Sequence, residues 1–344
     1  MEIRIINPLV YPDWDDEMLS LEEHSFFHSS HWARVLCDTY RYTPLYFTSS
    51  VNGRICGALP FMEINSFLTG HRGVSLPFTD YCEPLLDKNV PLGKMLEVVI
   101  AYGRHAAWNS FEMRMTGSPS EGAAYSACYY GHTLELFPSE AYHYTQLHRG
   151  TKSSIAKSLK SGVKVAIESS IEAMEDFYRL NCITRKMHGL PPQPFEFFRN
   201  IHDHIISKKH GLVVLASHGD RTIAGAVYFH FGKKAIYKYG ASDRRYQHLR
   251  ANNLVMWEVI RWYAHRGFES LCFGRTETGN QGLIQFKDGW GTKSRLLRYY
   301  RYDFSENAFS RNSMRKKESY NRIFLNMPTP LLKITGSLLY RHMG

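Results

Sequence analysis

The chain has 344 residues, 44% of them hydrophobic and 22% charged, with a formal net charge of +10 and a pI near 9.2. Such a chain suits two domains of about 150 residues each plus a tail, and its globular composition lets each half bury a core. No stretch approaches the roughly 20 apolar residues of a membrane-spanning helix. Met1 to Trp14 mixes Arg4, Pro8, Pro12 and Asp13 with apolar residues, unlike a signal peptide, so a cytoplasmic location is expected.

The six cysteines (Cys37, Cys56, Cys82, Cys128, Cys182, Cys272) include no close pair of the C-x-x-C kind, and the 17 histidines form no H-E-x-x-H. Reduced, mostly buried thiols and no metal or permanently bound cofactor are expected.

The first element pair is a hairpin. Tyr46 to Phe61 reads YFTSSVNGRICGALPF, two strands joined by Asn52-Gly53, a dipeptide that supplies the positive φ angles of a tight turn. Leu96 to Arg114 (LEVVIAYGRHAAWNSFEMR) follows as a helix with apolar residues near the 3.6 period, then a short strand ending in Arg114. Next come five cations, Arg149, Lys152, Lys157, Lys160 and Lys164, with no acid between Glu140 and Glu168. They point to a phosphate-bearing partner or to a solvated helix face.

The same order then recurs. Val213 to Phe229 (VVLASHGDRTIAGAVYF) is a second hairpin, turning at Gly219-Asp220, and Ile223, Gly225 and Ala226 match Ile55, Gly57 and Ala58 at an offset of 168. Trp257 to Arg275 (WEVIRWYAHRGFESLCFGR) matches the first helix and strand at an offset of 161, setting Arg275 on Arg114. Two blocks in one order indicate an internal duplication. Hairpin, helix and strand describe an α/β module with a mixed sheet of the GNAT acyltransferase kind. The expected divisions are 1–148, 149–305 and a basic tail, 306–344.

The tail, 311–344, holds seven Lys/Arg against one Glu. Apolar residues recur at Ile323-Phe324-Leu325, Leu331-Leu332, Ile334 and Leu338-Leu339-Tyr340, broken by Pro328 and Pro330. Two readings fit: a peripheral anchor on the inner face of the membrane, or a terminal helix packed back on the first lobe, the second being preferred because the apolar stretch is short.

Several motifs carry a family likeness. The first half shows Ser29-Ser30-His31-Trp32, Gly70-His71-Arg72-Gly73-Val74-Ser75-Leu76-Pro77-Phe78 and Asp80-Tyr81. The second shows Thr184-Arg185-Lys186-Met187-His188-Gly189-Leu190-Pro191-Pro192, Lys238-Tyr239-Gly240-Ala241-Ser242 and Phe273-Gly274-Arg275-Thr276. It continues with Gly282-Leu283-Ile284-Gln285-Phe286-Lys287-Asp288-Gly289-Trp290-Gly291. Over residues 25–305 the chain resembles the Fem-type aminoacyltransferases, its second lobe a BioF2-like GNAT acetyltransferase domain. The resemblance implies transfer of an aminoacyl or acyl group to an amine on a cell-envelope or exopolysaccharide intermediate. It also implies aminoacyl-tRNA or acyl-CoA as co-substrate and a phosphate-bearing sugar or lipid-linked acceptor.

It implies roles as well. Lys287 and Arg275 are the catalytic candidates, meeting phosphate or a developing oxyanion, in a setting that Gly282, Gly289 and Gly291 leave open. Phe286, Trp290, Arg185, Lys186, Arg250 and Tyr239 are the substrate-binding candidates. One position departs from the pattern: four residues after Trp32, where relatives often carry a lysine, stands Leu36, which argues against a nucleotide-linked muropeptide. The stretch Arg245 to Asn253, where a CoA-dependent GNAT enzyme wants a glycine-rich pyrophosphate cradle, has no glycine. That favours a bulkier donor, while acyl-CoA on an amino sugar, or a non-catalytic duplicate binding nucleotide-sugar or RNA, remain alternatives.

Overall fold

The computed structural model describes residues 2–311 and 319–344. Its elements, in chain order, begin with β1 (Glu2–Ile6), α1 (Trp14–Leu19) and α2 (Ser30–Tyr40). Then come β2 (Thr43–Val51), β3 (Arg54–Ser66), β4 (Gly70–Val74), β5 (Leu85–Leu86), α3 (Leu92–His105), β6 (Ser110–Met115) and β7 (Ala127–Glu135). The middle of the chain gives α4 (Glu140–Gln146), α5 (Arg149–Lys160), β8 (Lys164–Glu168), α6 (Ile171–Met187), α7 (Phe195–Ile201), β9 (Gly211–His218), β10 (Arg221–Phe231) and β11 (Lys234–Ser242). Last are α8 (Ala251–His265), β12 (Ser270–Glu277), α9 (Gln281–Asp288), β13 (Lys293–Asp303), β14 (Ala308–Ser310), α10 (Ser319–Asn326) and α11 (Thr329–Leu339).

These form two compact units. The first takes the described residues of Met1–Tyr130, Arg295–Arg315 and Leu339–Gly344; the second takes those of Gly131–Ser294 and Lys316–Leu338. The chain therefore passes between the units near 130 and near 294, and again before α10 and after Leu338, where the sequence suggested divisions at 148 and 305. The reason is strand pairing: β13 lies antiparallel to β6, Arg298 opposite Met115 and Asp303 opposite Ser110, so its residues join the first unit.

The two units repeat one topology. In the first, the strand order is β1-β2-β3-β4-β6-β13; in the second it is β8-β9-β10-β11-β12, with β7 following. In each, an antiparallel meander leads through a helix to a parallel neighbour. The pairs β4/β6 (Arg72–Val74 on Ser110–Glu112) and β11/β12 (Lys234–Ile236 on Ser270–Cys272) are both parallel. Both hairpins have a ladder irregularity beside the shared Ile-x-Gly-Ala, between Ser49 and Ser50 in one and between Thr222 and Ala224 in the other. The shared glycine has a packing cause. A Cβ on Gly57 would stand 3.1 Å from Val90, and one on Gly225 would stand 2.9 Å from Leu215. The expected tandem GNAT-like architecture is thus present in both units.

Each unit has its own apolar core. Phe47, Phe61, Val99, Phe111 and Tyr302 build the first; Val214, Tyr228, Val259, Tyr263, Leu271 and Trp290 build the second. Leu36, the residue that departs from the family pattern, is fully buried on α2, so that side chain serves packing. The C-terminal residues pack on the first unit: Tyr42 donates its hydroxyl to the carbonyls of Tyr340 and Arg341, and Arg72 donates to those of His342 and Gly344. Most of the basic run at 311–318 lies outside the described residues. Among the described residues, no helix is long and apolar enough to cross a membrane, and no group of three or more His, Cys, Asp or Glu could hold a metal ion.

Candidate functional site

The second unit's chemistry gathers where the pairing of β12 with β11 ends. The parallel ladder ends at Ile236 and Cys272, yet β11 continues to Ser242 and β12 to Glu277. Over that stretch β11 stays on β10, Gly240 opposite Ala226 and Ser242 opposite Ala224. Backbone groups of β12 past Cys272 therefore need partners other than β11. Lys287 supplies a donor. Its ammonium lies 3.0 Å from the carbonyl oxygen of Gly274 and 3.0 Å from that of Arg275.

Consecutive carbonyls of a regular strand point to opposite edges, so one side chain cannot ordinarily reach both. Gly274, at φ +71°, breaks that alternation. The left-handed region is open to glycine at little cost, which explains this residue at this point.

Lys287 reaches β12 from α9. That helix starts where the Asn280 side chain accepts from the Leu283 N–H at 3.1 Å, and it ends at Gly289. Lys287 is 3% exposed, on a helix and turned onto β12, not set in an open glycine-framed cleft. Gly289 serves close packing instead, since a Cβ there would lie 2.6 Å from Thr151 Oγ1, while Gly291 takes a turn at φ +78°. Trp290 is buried, its ring 6.2 Å from Phe286 and 6.5 Å from Phe273.

Beside Lys287 stands His132, fully buried on β7, which sequence reasoning missed. Its Nδ1 is 3.5 Å from an Asp288 carboxylate oxygen and 3.5 Å from Thr292 Oγ1. Burial, and then the Lys287 ammonium, push its pKa below the ordinary histidine value, with Asp288 opposing. Only the pairing of β7 into this sheet brings His132 here, and no local motif announces it.

A cavity of about 150 Å³ adjoins the start of α8, lined by Ala224, Ser242, Asp243, Gln247, Arg250 and Phe286 among others. The turn Arg244–Leu249 that frames it is capped by Asp243, whose side chain accepts from the Arg245 backbone N–H at 3.1 Å. The Arg245 guanidinium also donates to that carboxylate at 2.6 Å and holds its pKa below the usual carboxylate range. Thr184 on α6 ties down the end of β11: its hydroxyl donates to the Ser242 carbonyl at 3.2 Å and accepts from the Ser242 N–H at 3.0 Å.

The cavity unites two of the residues singled out from sequence, Arg250 and Phe286. Arg250 sits at φ +59°, a left-handed position at the helix start that glycine would hold with less strain. The others lie elsewhere. Arg275 has an exposed side chain, and its carbonyl accepts from Lys287. Its repeat partner Arg114 is tied in, 2.7 Å from Glu112 and 3.0 Å from the Thr79 carbonyl, its guanidinium 5.1 Å from the Tyr299 ring centroid. The two positions differ: the arginine of the first unit is half-buried and braces that unit, and that of the second is exposed.

Arg185 donates to the Pro191 carbonyl at 3.3 Å and so braces the loop after α6, where Lys186 is half-buried. Tyr239 packs among Phe197, Phe198 and Phe229. A ladder irregularity between Val227 and Tyr228 skips Lys238, so Tyr237 turns to the Tyr228 side and Tyr239 to the α7 side.

Residues 147–288 match the family described as Acetyltransferase (GNAT) domain. Among curated proteins, the chain is 32% identical over 76 residues to a lipid II:glycine glycyltransferase of Staphylococcus saprophyticus, covering 20% of this chain and 18% of that one. It is 24% identical over 158 residues to a UDP-N-acetylmuramoylpentapeptide-lysine N(6)-alanyltransferase of Weissella viridescens, covering 45% of this chain and 43% of that one. The chain thus spans less than half the length of these relatives. Among solved structures, a crystal structure of FemX superposes with a TM-score of 0.68 at 14% identity, over 89% of this chain and 98% of that one. Residues 147–288 thus match a GNAT acetyltransferase domain, and the chain as a whole shares the fold of FemX, built from tandem GNAT-like modules.

Proposed function

We propose that the chain is an acyltransferase that moves an aminoacyl or acyl group onto an amine of a cell-envelope precursor. The observation that carries this reading is the parting of β11 and β12 beyond Cys272, held by Lys287 on consecutive carbonyls. Two strands that part leave room for an extended acyl donor between them. Backbone N–H groups released from a ladder are ready donors to the oxyanion that forms when an amine attacks an ester or thioester carbonyl. In that reaction the new C–N bond forms as the C–O or C–S bond breaks, the amine releases a proton, and the leaving alcohol or thiol takes one up. Lys287 keeps β12 in place and a positive charge beside the opening. Phe286 and Arg250 wall the neighbouring cavity.

A phosphate-linked peptide or sugar amine is the acceptor class we favour, by similarity to the glycyl- and alanyltransferases named above. Aminoacyl-tRNA is the favoured donor, because Arg245 to Asn253 offers no glycine cradle to a pyrophosphate. The match to a GNAT acetyltransferase domain supports a second reading, with acyl-CoA as donor and an amino sugar as acceptor. An exopolysaccharide intermediate belongs to the same proposal as an acceptor. Incubating the purified protein with charged tRNA and with an acyl-CoA pool, and following which is consumed, separates the donors. Consumption of acyl-CoA alone would overturn the tRNA preference.

A further inference from the structure

The last two helices are apolar on a face that nothing in their own unit covers. α11 docks on the second unit through Leu332, 0% exposed, and through Gly336, whose missing Cβ would collide with the Pro192 carbonyl. That contact fixes which way the helix faces. On another side, Leu331, Ile334 and Leu338 stand at i, i+3 and i+7, a single stripe, and are 54%, 57% and 64% exposed. α10 adds Ile323 and Leu325, both exposed.

The charge carried by these two helices themselves has one sign. Arg322 and Lys333 are exposed, and from Ser319 to the C-terminus the chain has three Lys/Arg and no acid. A second copy laid on this stripe would set these cations against their own counterparts, so self-association is the poorer fit. An anionic bilayer surface satisfies both features, taking aliphatic side chains below the headgroups and cations among them. At 11 residues α11 is about 16 Å long, roughly half the hydrocarbon thickness, so it lies in the interface and does not span.

We propose that the outer face of α10 and α11 binds the surface of a membrane rich in anionic lipid. This stands whether or not acyl transfer is the activity. The test is co-sedimentation of the full chain with vesicles of phosphatidylcholine alone, and with vesicles containing one part in three phosphatidylglycerol. The expected result is binding to the anionic vesicles only, weakened by salt, and reduced about tenfold or more in Leu331→Ser/Ile334→Ser/Leu338→Ser. All three side chains are exposed, so that variant keeps its circular dichroism spectrum. The proposal is overturned if the parent ignores anionic vesicles, or if the triple variant binds them equally well. It is also overturned if light scattering finds a dimer that the variant dissolves, because a second copy then covers the stripe.

Discussion

Lys287 Nζ donates to the carbonyl oxygens of Gly274 and Arg275, both at 3.0 Å, and so joins α9 to β12 beyond its last pairing with β11. An ammonium in this position replaces ladder hydrogen bonds with charge-assisted ones. Lys287→Met keeps length and volume but leaves two carbonyls without this donor. It should cost about 2–5 kcal/mol of stability, read as a lower urea midpoint, and reduce turnover about a hundredfold. Lys287→Arg should recover only part of either, since a planar fork does not fit where a compact ammonium did. Near-parental stability and turnover in both variants would show that the contact matters to neither fold nor reaction.

Gly274 at φ +71° makes the shared contact possible. Gly274→Ala should destabilise by about 1–2 kcal/mol through the left-handed backbone alone. Because the strain acts on the carbonyls that Lys287 holds, this change and Lys287→Met should be non-additive in a double-mutant cycle. Simple addition would separate the backbone turn from the lysine.

Donor choice rests on the loop before α8. Calorimetric titration with acetyl-CoA should give weak or undetectable binding, because Arg250 and its neighbours supply no glycine cradle. Tight one-to-one binding, abolished by Arg250→Ala, would make acyl-CoA the donor.

His230 is buried and bonded at both ring nitrogens, 3.1 Å from the Tyr263 hydroxyl and 2.7 Å from the Lys209 carbonyl. Burial lowers its pKa from the ordinary 6.5, although the Lys209 contact opposes this. With the native pKa below the unfolded one, the unfolded chain binds the extra proton. This contribution is therefore complete above about pH 6.5 and is lost as pH falls below it. His132 and His143 shift the same way. Urea midpoints should drop between pH 7.5 and 5.5, with a shallower drop in His230→Gln. A drop of equal slope in that variant would remove His230 from the account.

The repeated hairpin, helix and strand were readable because their determinants are local. Asn52-Gly53 and Gly219-Asp220 name the turns, and the 3.6 period names α3 and α8. The placement of β13 beside β6 was not readable, because Tyr299 meets Arg114 across 185 residues of chain and no local pattern encodes that pairing. The irregularity at Lys238 also escaped. It turns Tyr239 toward α7, away from the face that a regular alternation assigns. Phe286 and Arg250, far apart in sequence, line one cavity. Lys287 proved to be a helix residue buried on β12, and His132 entered its surroundings only through β7.

The most direct measurement of the central claim is mass spectrometry of an amine-bearing muropeptide incubated with charged tRNA and the purified chain. The account predicts a product heavier by one aminoacyl residue, formed by the parent and lost in a folded Phe286→Ala variant. A folded parent that acylates nothing from either charged tRNA or acyl-CoA, while still retaining RNA on a filter, would contradict transfer and leave a binding protein in its place.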